Sequence, residues 1–305
     1  MHEYNLEMII RSDQRYSHDQ DFFFRDNEES FYIAGYWGAD GCVKSQRGNR
    51  SGELSMSLGI KDADHFLKMK NVMKIENPLS NKIVKNHGRI KDSYQNELSF
   101  TSRKLCYDLL RFNIAPRKTL NYSIPDWLFD HPLLNHFLRG FIDGDGTFCM
   151  LKQGKYGTAN FSIVGTEMFV RQFREILIKQ CNLPIDSGCI AEQKGCWCLS
   201  YGGNLIVGKI ANYIYKDATI YLQRKYQYAE MAIKHLSNYS IEKEHYEFNK
   251  AQSLFRKKSS KWFNRPEYEF TKENVIKLYS EIHNIAKVAK LVKKRLSVVS
   301  EMIFD

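Results

Sequence analysis

The sequence predicts an α+β protein: two halves of like architecture, related by a pseudo-twofold axis, with a small all-α unit after them. Three observations carry the prediction. A motif occurs twice, as FYIAGYWGADGCV at 31–43 and FLRGFIDGDGTFC at 137–149. Both copies share the pattern apolar, x, Gly, aromatic, apolar, x, small, Asp, Gly, and each is followed by similar segments in the same order. Beyond about residue 236 the repeat stops and a different helical spacing takes over.

The elements follow in order. Residues 1–27 form an N-terminal extension whose opening, MHEYNLEMIIRSDQ, mixes acids and bases too evenly for a secretory or transit peptide. The first repeat, 28–125, begins with the motif helix, expected to end near the Asp-Gly step because glycine readily takes the left-handed conformation that terminates helices. In GELSMSLGI, Leu54, Met56, Leu58 and Ile60 alternate with Glu53, Ser55, Ser57 and Gly59 at the period of a half-buried strand. KDADHFLKMKNVM has helical spacing, and NELSFTSRKLCYDLLRFNI at 96–114 reads as strand, small-residue turn and apolar helix. The second repeat, 126–235, repeats the plan with its own motif helix, the strand TANFSIVG, the helix TEMFVRQFREILIK, and CWCLSYGGNLIVGKIANYI at 196–214. Each unit is thus helix, two hairpins with a helix between, helix.

A polar, basic connection spans 236–268 and includes Pro266. In 269–305, Val275, Leu278, Tyr279 and Ile282 keep helical spacing, with a break at His283 and Asn284. A second helix runs through Ile285, Val288 and Ala289, and a third holds Val298, Val299 and Met302. Three short helices so spaced suggest a helix-turn-helix, although no glycine marks the expected turn near Val292.

Composition narrows the partners. With 43% hydrophobic and 13% aromatic residues the chain is globular, not disordered. A formal charge of +10 favours a polyanion, with nucleic acid first. Residues 251–305 hold 12 Lys or Arg against 6 Asp or Glu, so the excess sits where a DNA-docking module is suspected. No apolar run approaches the roughly 20 residues of a spanning helix, so a membrane partner is not expected. Seven cysteines without a Cys-x-x-Cys pair argue against a disulfide scaffold or zinc ribbon. Cys196 and Cys198 read as strand residues, and the expected compartment is reducing: cytoplasm, nucleoid or organelle matrix.

The repeated motif carries chemistry. Gly35 with Ala39, and Gly140 with Gly144, make a narrow stripe on each helix along which two backbones can approach closely. Side-by-side packing brings Asp40 and Asp145 to a common end. Two carboxylates held there repel one another unless a proton or cation is shared. Few oxygen ligands, with room for water and phosphate, suit Mg²⁺ better than Zn²⁺ or a Ca²⁺ cage. Metals so placed activate water and stabilise the leaving oxygen of a phosphodiester.

IAGYWGADG and LRGFIDGDG resemble the two signature helices of the LAGLIDADG family, single-chain two-repeat type, over about residues 28–235. The resemblance implies two αββαββα repeats joined through the motif helices, with curved sheets forming a saddle on the DNA major groove. It implies a monomeric homing endonuclease that cuts both strands of a long quasi-palindromic site. Asp40 and Asp145 take the position of the family's metal-binding acid, and the carbonyls of Ala39 and Gly144 that of its backbone ligand, around two or more Mg²⁺ ions at the repeat interface. Gly38 departs from the pattern, lacking the earlier acid that the second copy keeps as Asp143. APRKTLNYSIP and YLQRKYQYAEMA resemble the segments that close each half and nominate Lys118 and Lys225 as the catalytic basic residues that organise solvent at the cut, with Arg117 and Arg224 beside them.

DNA contacts are expected from the strand faces at Ser55, Ser57, Asn160 and Ser162, and from the hairpins at Lys44, Gln46, Arg47, Arg50, Lys152, Gln153 and Lys155. Lys293, Lys294 and Arg295 are the candidates in the terminal unit. Two alternatives stand beside the enzyme: a WhiA-like transcription regulator on the same scaffold, disfavoured because both motif acids are present, and an intron RNA maturase. An intein is not expected, since neither end, Met1 or SVVSEMIFD, carries splicing chemistry.

Overall fold

Strands of period two and helices with one small-residue stripe assemble here into two halves of the same plan. The computed structural model describes residues 15–44, 52–85, 92–151, 157–193, 195–237, 271–283, 285–292, 294 and 296–304. The chain divides into two units, Met1–Asn238 and Tyr239–Asp305.

In the first unit, α1 (Glu28–Asp40) starts where the Asn27 side chain accepts from the Ser30 amide, with Glu28 and Glu29 in the first turn favouring the dipole's positive end. Then come β1 (Gly41–Lys44), β2 (Glu53–Gly59), α2 (Ala63–Val72), β3 (Ser80–Val84), β4 (Ser93–Thr101) and α3 (Arg103–Asp108). The second half repeats this as α4 (Leu134–Asp145), β5 (Gly146–Leu151), β6 (Thr158–Gly165), α5 (Glu167–Gln180), β7 (Cys189–Gln193), β8 (Cys196–Gly202) and α6 (Asn204–Ile214), with α7 (Gln223–Ser237) after it. Each half forms an antiparallel sheet of the same order, β1-β2-β4-β3 and β5-β6-β8-β7.

Alternation decides which face is covered. Leu54, Met56 and Leu58 in β2, like Ala159, Phe161 and Ile163 in β6, are buried. Two details differ from the sequence expectation. Ile60 leaves the strand for a 3-10 turn over Ile60–Asp62 and stands exposed. The helix after β4 stops at Asp108 and tightens into a 3-10 turn over Leu109–Phe112, closed by Asn113 in the left-handed region at φ 60°. No helix among the described residues is long and apolar enough to cross a membrane.

The second unit holds α8 (Lys272–Ile282), α9 (Ile285–Leu291) and α10 (Leu296–Phe304). Thr271 caps α8 by accepting from the Asn274 amide, and His283 ends it at φ 48°. The three helices share a core of Val275, Leu278, Val288, Ala289, Val292 and Val299. The turn after α9 forms without glycine, Val292 and Lys294 donating their amides to Val288 and Ala289.

Candidate active site at the crossing of the motif helices

The stripe of small residues brings α1 and α4 into backbone contact. A Cβ added to Gly35 would lie 1.9 Å from the Phe137 carbonyl oxygen, and one on Gly140 would lie 1.9 Å from that of Tyr32. The relation is reciprocal, as a twofold requires. One on Gly144 would meet the Ala39 Cβ at 2.4 Å and the Asp40 Oδ2 at 3.3 Å, so the Asp40 carboxylate lies against the end of α4. The reason expected for the Asp-Gly step was wrong. Gly41 (φ −80°) and Gly146 (φ −90°) are extended, not left-handed. Glycine is needed because a Cβ would strike the Trp37 ring at 2.3 Å, and the Ile142 backbone at 2.9 Å, as each chain turns directly into its strand.

Asp40 and Asp145 both reach solvent at the shared end of the helices. Desolvation by the protein around it, then the charge of Asp145, raise the Asp40 pKa to about 6, with Lys225 and Lys118 offsetting part of the effect. Asp145 is raised by desolvation and lowered in part by the same two lysines. The nominated lysines therefore sit where both acids feel them. Lys118 Nζ donates to the Gly41 carbonyl at 2.8 Å. Lys225, buried, donates to the carbonyls of Ile142, Asp143 and Gly144 at 2.9, 2.7 and 2.8 Å, which makes it the cationic cap of α4. Burial pulls both lysine pKa values down, that of Lys225 to about 8.

A hard divalent cation suits this donor set. The two carboxylates lie at helix C-termini, whose carbonyls add negative potential. No group of three or more His, Cys, Asp or Glu side chains able to hold a metal occurs among the described residues. Most positions of an octahedral ion would thus fall to carbonyl, water and phosphate oxygens. The Gly144 carbonyl, an expected ligand, already accepts from Lys225 and keeps one lone pair to offer.

Sequence reasoning passed over the groups beneath the acids. Asp143 is fully buried and accepts from Tyr32 Oη at 2.8 Å, Tyr215 Oη at 3.2 Å and the Leu222 amide at 2.8 Å. Tyr32 Oη also bonds His65 Nε2 at 2.8 Å. Arg139, with no exposed surface, donates to Glu28 at 2.6 Å and to the Ile214 and Ile220 carbonyls. Arg224, nominated only as a neighbour of Lys225, grips Asp62 of the first half through two bonds of 2.7 and 2.9 Å. Two differences between the motif copies were the sequence signals: Asp143 where the first copy has Gly38, and Tyr32 with a hydroxyl where its repeat counterpart Phe137 has none.

On the sheets, Ser57 and Ser162 lie partly exposed on the faces away from the helices, Ser162 opposite Thr147 and Ser200. Asn160 lies on the same face and bonds the Thr158 carbonyl. Ser55 is a correction: its register puts it on the open face, opposite Cys42 and Ser99, yet its neighbours leave it only 8% exposed. Lys44 is exposed and paired with Glu53 at 2.6 Å. Lys294 is exposed at the α9 end. Gln46, Arg47, Arg50, Lys152, Gln153, Lys155, Lys293 and Arg295 lie outside the described residues. All seven cysteines are free thiols, with Cys196 and Cys198 in β8.

No protein-family model matches the chain, and no curated protein matches it significantly. Among solved structures, it is similar to the homing endonuclease I-WcaI bound to its DNA recognition sequence, at 15% identity and TM-score 0.48, over 68% of this chain and 91% of that one. It is similar to the LAGLIDADG meganuclease I-AabMI bound to uncleaved DNA, at 15% identity and TM-score 0.41, over 88% and 98% of the two chains. Full-length DUF199/WhiA from Thermatoga maritima is similar at 13% identity and TM-score 0.41, over 93% of each chain. The solved structures that the chain is similar to thus include both LAGLIDADG homing endonucleases and a WhiA protein.

Proposed function

We propose that this chain is a site-specific, metal-dependent DNA endonuclease that hydrolyses both strands of a long target as a monomer. The observation that carries the reading is the meeting of Asp40 and Asp145 at the common end of two helices, with Lys118 and Lys225 beside them. Asp40 and Asp145, with the carbonyls of Ala39 and Gly144, would hold Mg²⁺. Bound there, the ion would make water a better nucleophile at neutral pH and offset charge on the leaving oxygen.

The side chains do the rest. Asp145 stands exposed at the last position of its helix, within reach of the charges of Lys118 and Lys225. Lys118 reaches solvent in part and stands beside both acids, where an ammonium can donate to a phosphate oxygen or to ordered water. Lys225, spent on three carbonyls, neutralises the helix end more than it faces substrate. The open faces of the two sheets supply base contacts, Ser57, Asn160 and Ser162 among them. The α8–α10 unit, through Lys293, Lys294 and Arg295, extends the footprint along the phosphates.

The test is selection of cleaved sites from a randomised duplex library with Mg²⁺, in parallel with the Asp40→Asn, Asp145→Asn double variant. Metal-dependent cuts at one long site, absent in the variant, are expected. If both proteins bind DNA alike and neither cuts, a WhiA-like regulator or an RNA maturase takes the place of the nuclease.

A further inference from the structure

The two halves repeat in outline but not beneath their acids. In the second half, the buried Asp143 carboxylate collects a hydroxyl from α1, a hydroxyl from the end of α6, and the Leu222 amide. Leu222 in turn accepts the amides of Lys225 and Tyr226, the first turn of α7. Lys225 then reaches back to the main chain of Ile142, Asp143 and Gly144, immediately before Asp145. The circuit is closed: Asp143 fixes Leu222, Leu222 starts α7, and α7 aims Lys225 at the end of α4.

Among the described residues the first half has no such circuit. Gly38 stands in place of Asp143, and a Cβ there would face the Phe141 ring at 3.2 Å and Ile114 at 3.6 Å, an apolar setting. Lys118 is given one carbonyl, that of Gly41, where Lys225 has three. The preceding Arg117 is held at φ 63°, in the left-handed region that a non-glycine residue rarely occupies.

We propose that Asp143 is a positioning residue that clamps Lys225 and the Asp145 end of α4, so that the two half-sites are unequal and the two DNA strands are cut at different rates. The inference rests on the endonuclease reading. A helix end capped in advance by Lys225 spends no binding energy on being ordered around Asp145, whereas the end beside Lys118, held by a single bond, is ordered at the cost of substrate binding. The asymmetry is written in the sequence as the pair Gly38 and Asp143.

The experiment uses the full chain and an end-labelled duplex bearing the selected site, at saturating enzyme with Mg²⁺, each strand's cleavage being followed on a denaturing gel. Wild type should pass through a nicked intermediate. Asp143→Asn should slow one strand by roughly tenfold or more, the scale on which loss of an orienting partner acts, and leave the other within about twofold. The strand slowed should be the one that Lys225→Met slows. Tyr215→Phe removes only the longest bond to Asp143 and keeps the ring's shape, so it reports if Asp143→Asn fails to fold; it should slow the same strand to a smaller degree. A merely structural role would lower the active fraction and slow both strands alike, and that result, or no effect from either variant, overturns the proposal. If wild type cuts neither strand of any DNA, the endonuclease reading fails first and this inference falls with it.

Discussion

At Gly35 and Gly140 a single methyl group decides whether the motif helices can meet, because each would stand 1.9 Å from the other helix's carbonyl. Backbone cannot step aside as a side chain does. Gly140→Ala should therefore cost more than about 3 kcal/mol or prevent folding, seen as a lower thermal midpoint or insoluble protein. His65 gives a pH prediction. Burial lowers its pKa from 6.5 to about 4, so between those values the unfolded chain binds the proton that the folded chain refuses. Its contribution is present above pH 6.5 and is lost as pH falls toward 4, by roughly 3 kcal/mol in all. Asp40, raised to about 6, works in the opposite direction, since its folded form binds the proton more readily. The measurement is thus a comparison: His65→Gln should show less loss of denaturant midpoint from pH 7 to 4.5 than wild type. Equal losses would remove His65 from the account. The lysines should also separate. Lys118→Met is expected to slow cleavage with little change in stability. Lys225→Met should slow it and lower stability by about 1–3 kcal/mol, because three helix-end carbonyls lose their donor.

At the scale of elements, the beginning of α1 is tied to α4 by charge. Glu28 accepts from Arg139 at 2.6 Å, from the Thr219 amide and hydroxyl at 2.7 and 2.8 Å, and from the Ile220 amide at 3.2 Å. Arg139 is entirely covered, so removing its partner leaves a buried unpaired charge. Glu28→Ala should cost about 3–5 kcal/mol, whereas a Glu28→Ala, Arg139→Met pair should recover much of it, since the attraction between buried ions is largely spent on their desolvation. Denaturant titration of the singles and the double gives the coupling energy; additive losses would show that the pair is not a unit. This tie also marks the limit of sequence reading. The helix pair, both hairpins of each half and the meeting of Asp40 with Asp145 were legible because repetition and periodicity are local properties. Arg139 with Glu28 and Arg224 with Asp62 join residues more than a hundred positions apart, and nothing in either segment alone announces its partner. Lys225 could be nominated by its segment, but its three acceptors depend on where α4 ends in space. Gly41 and Gly146 were assigned the right residue for the wrong reason, since the ring of Trp37 and the backbone of Ile142, not a positive φ, exclude a side chain there.

For the whole molecule, the division at Asn238 matters more than the length of the chain. The α8–α10 unit closes on its own core of Val275, Leu278, Val288, Ala289, Val292 and Val299, and the acids and lysines of the candidate site all lie in the other unit. Removing 269–305 should leave the fold of the larger unit and its chemistry in place. What should change is affinity. If Lys293, Lys294 and Arg295 each neutralise a phosphate, the slope of log Kd against log salt should flatten by about 0.9 per contact, close to 3 for the three. At low salt the truncated chain should bind more weakly, and at high salt the difference should narrow, because the charge-driven part fades for both. Cleavage under saturating enzyme should persist at nearly the full rate. Gel-shift titrations from 50 to 200 mM salt, with single-turnover cleavage at each end, supply both readouts. Unchanged binding would make the unit something other than a DNA module, and loss of cleavage at saturation would mean that the site depends on residues beyond Asn238.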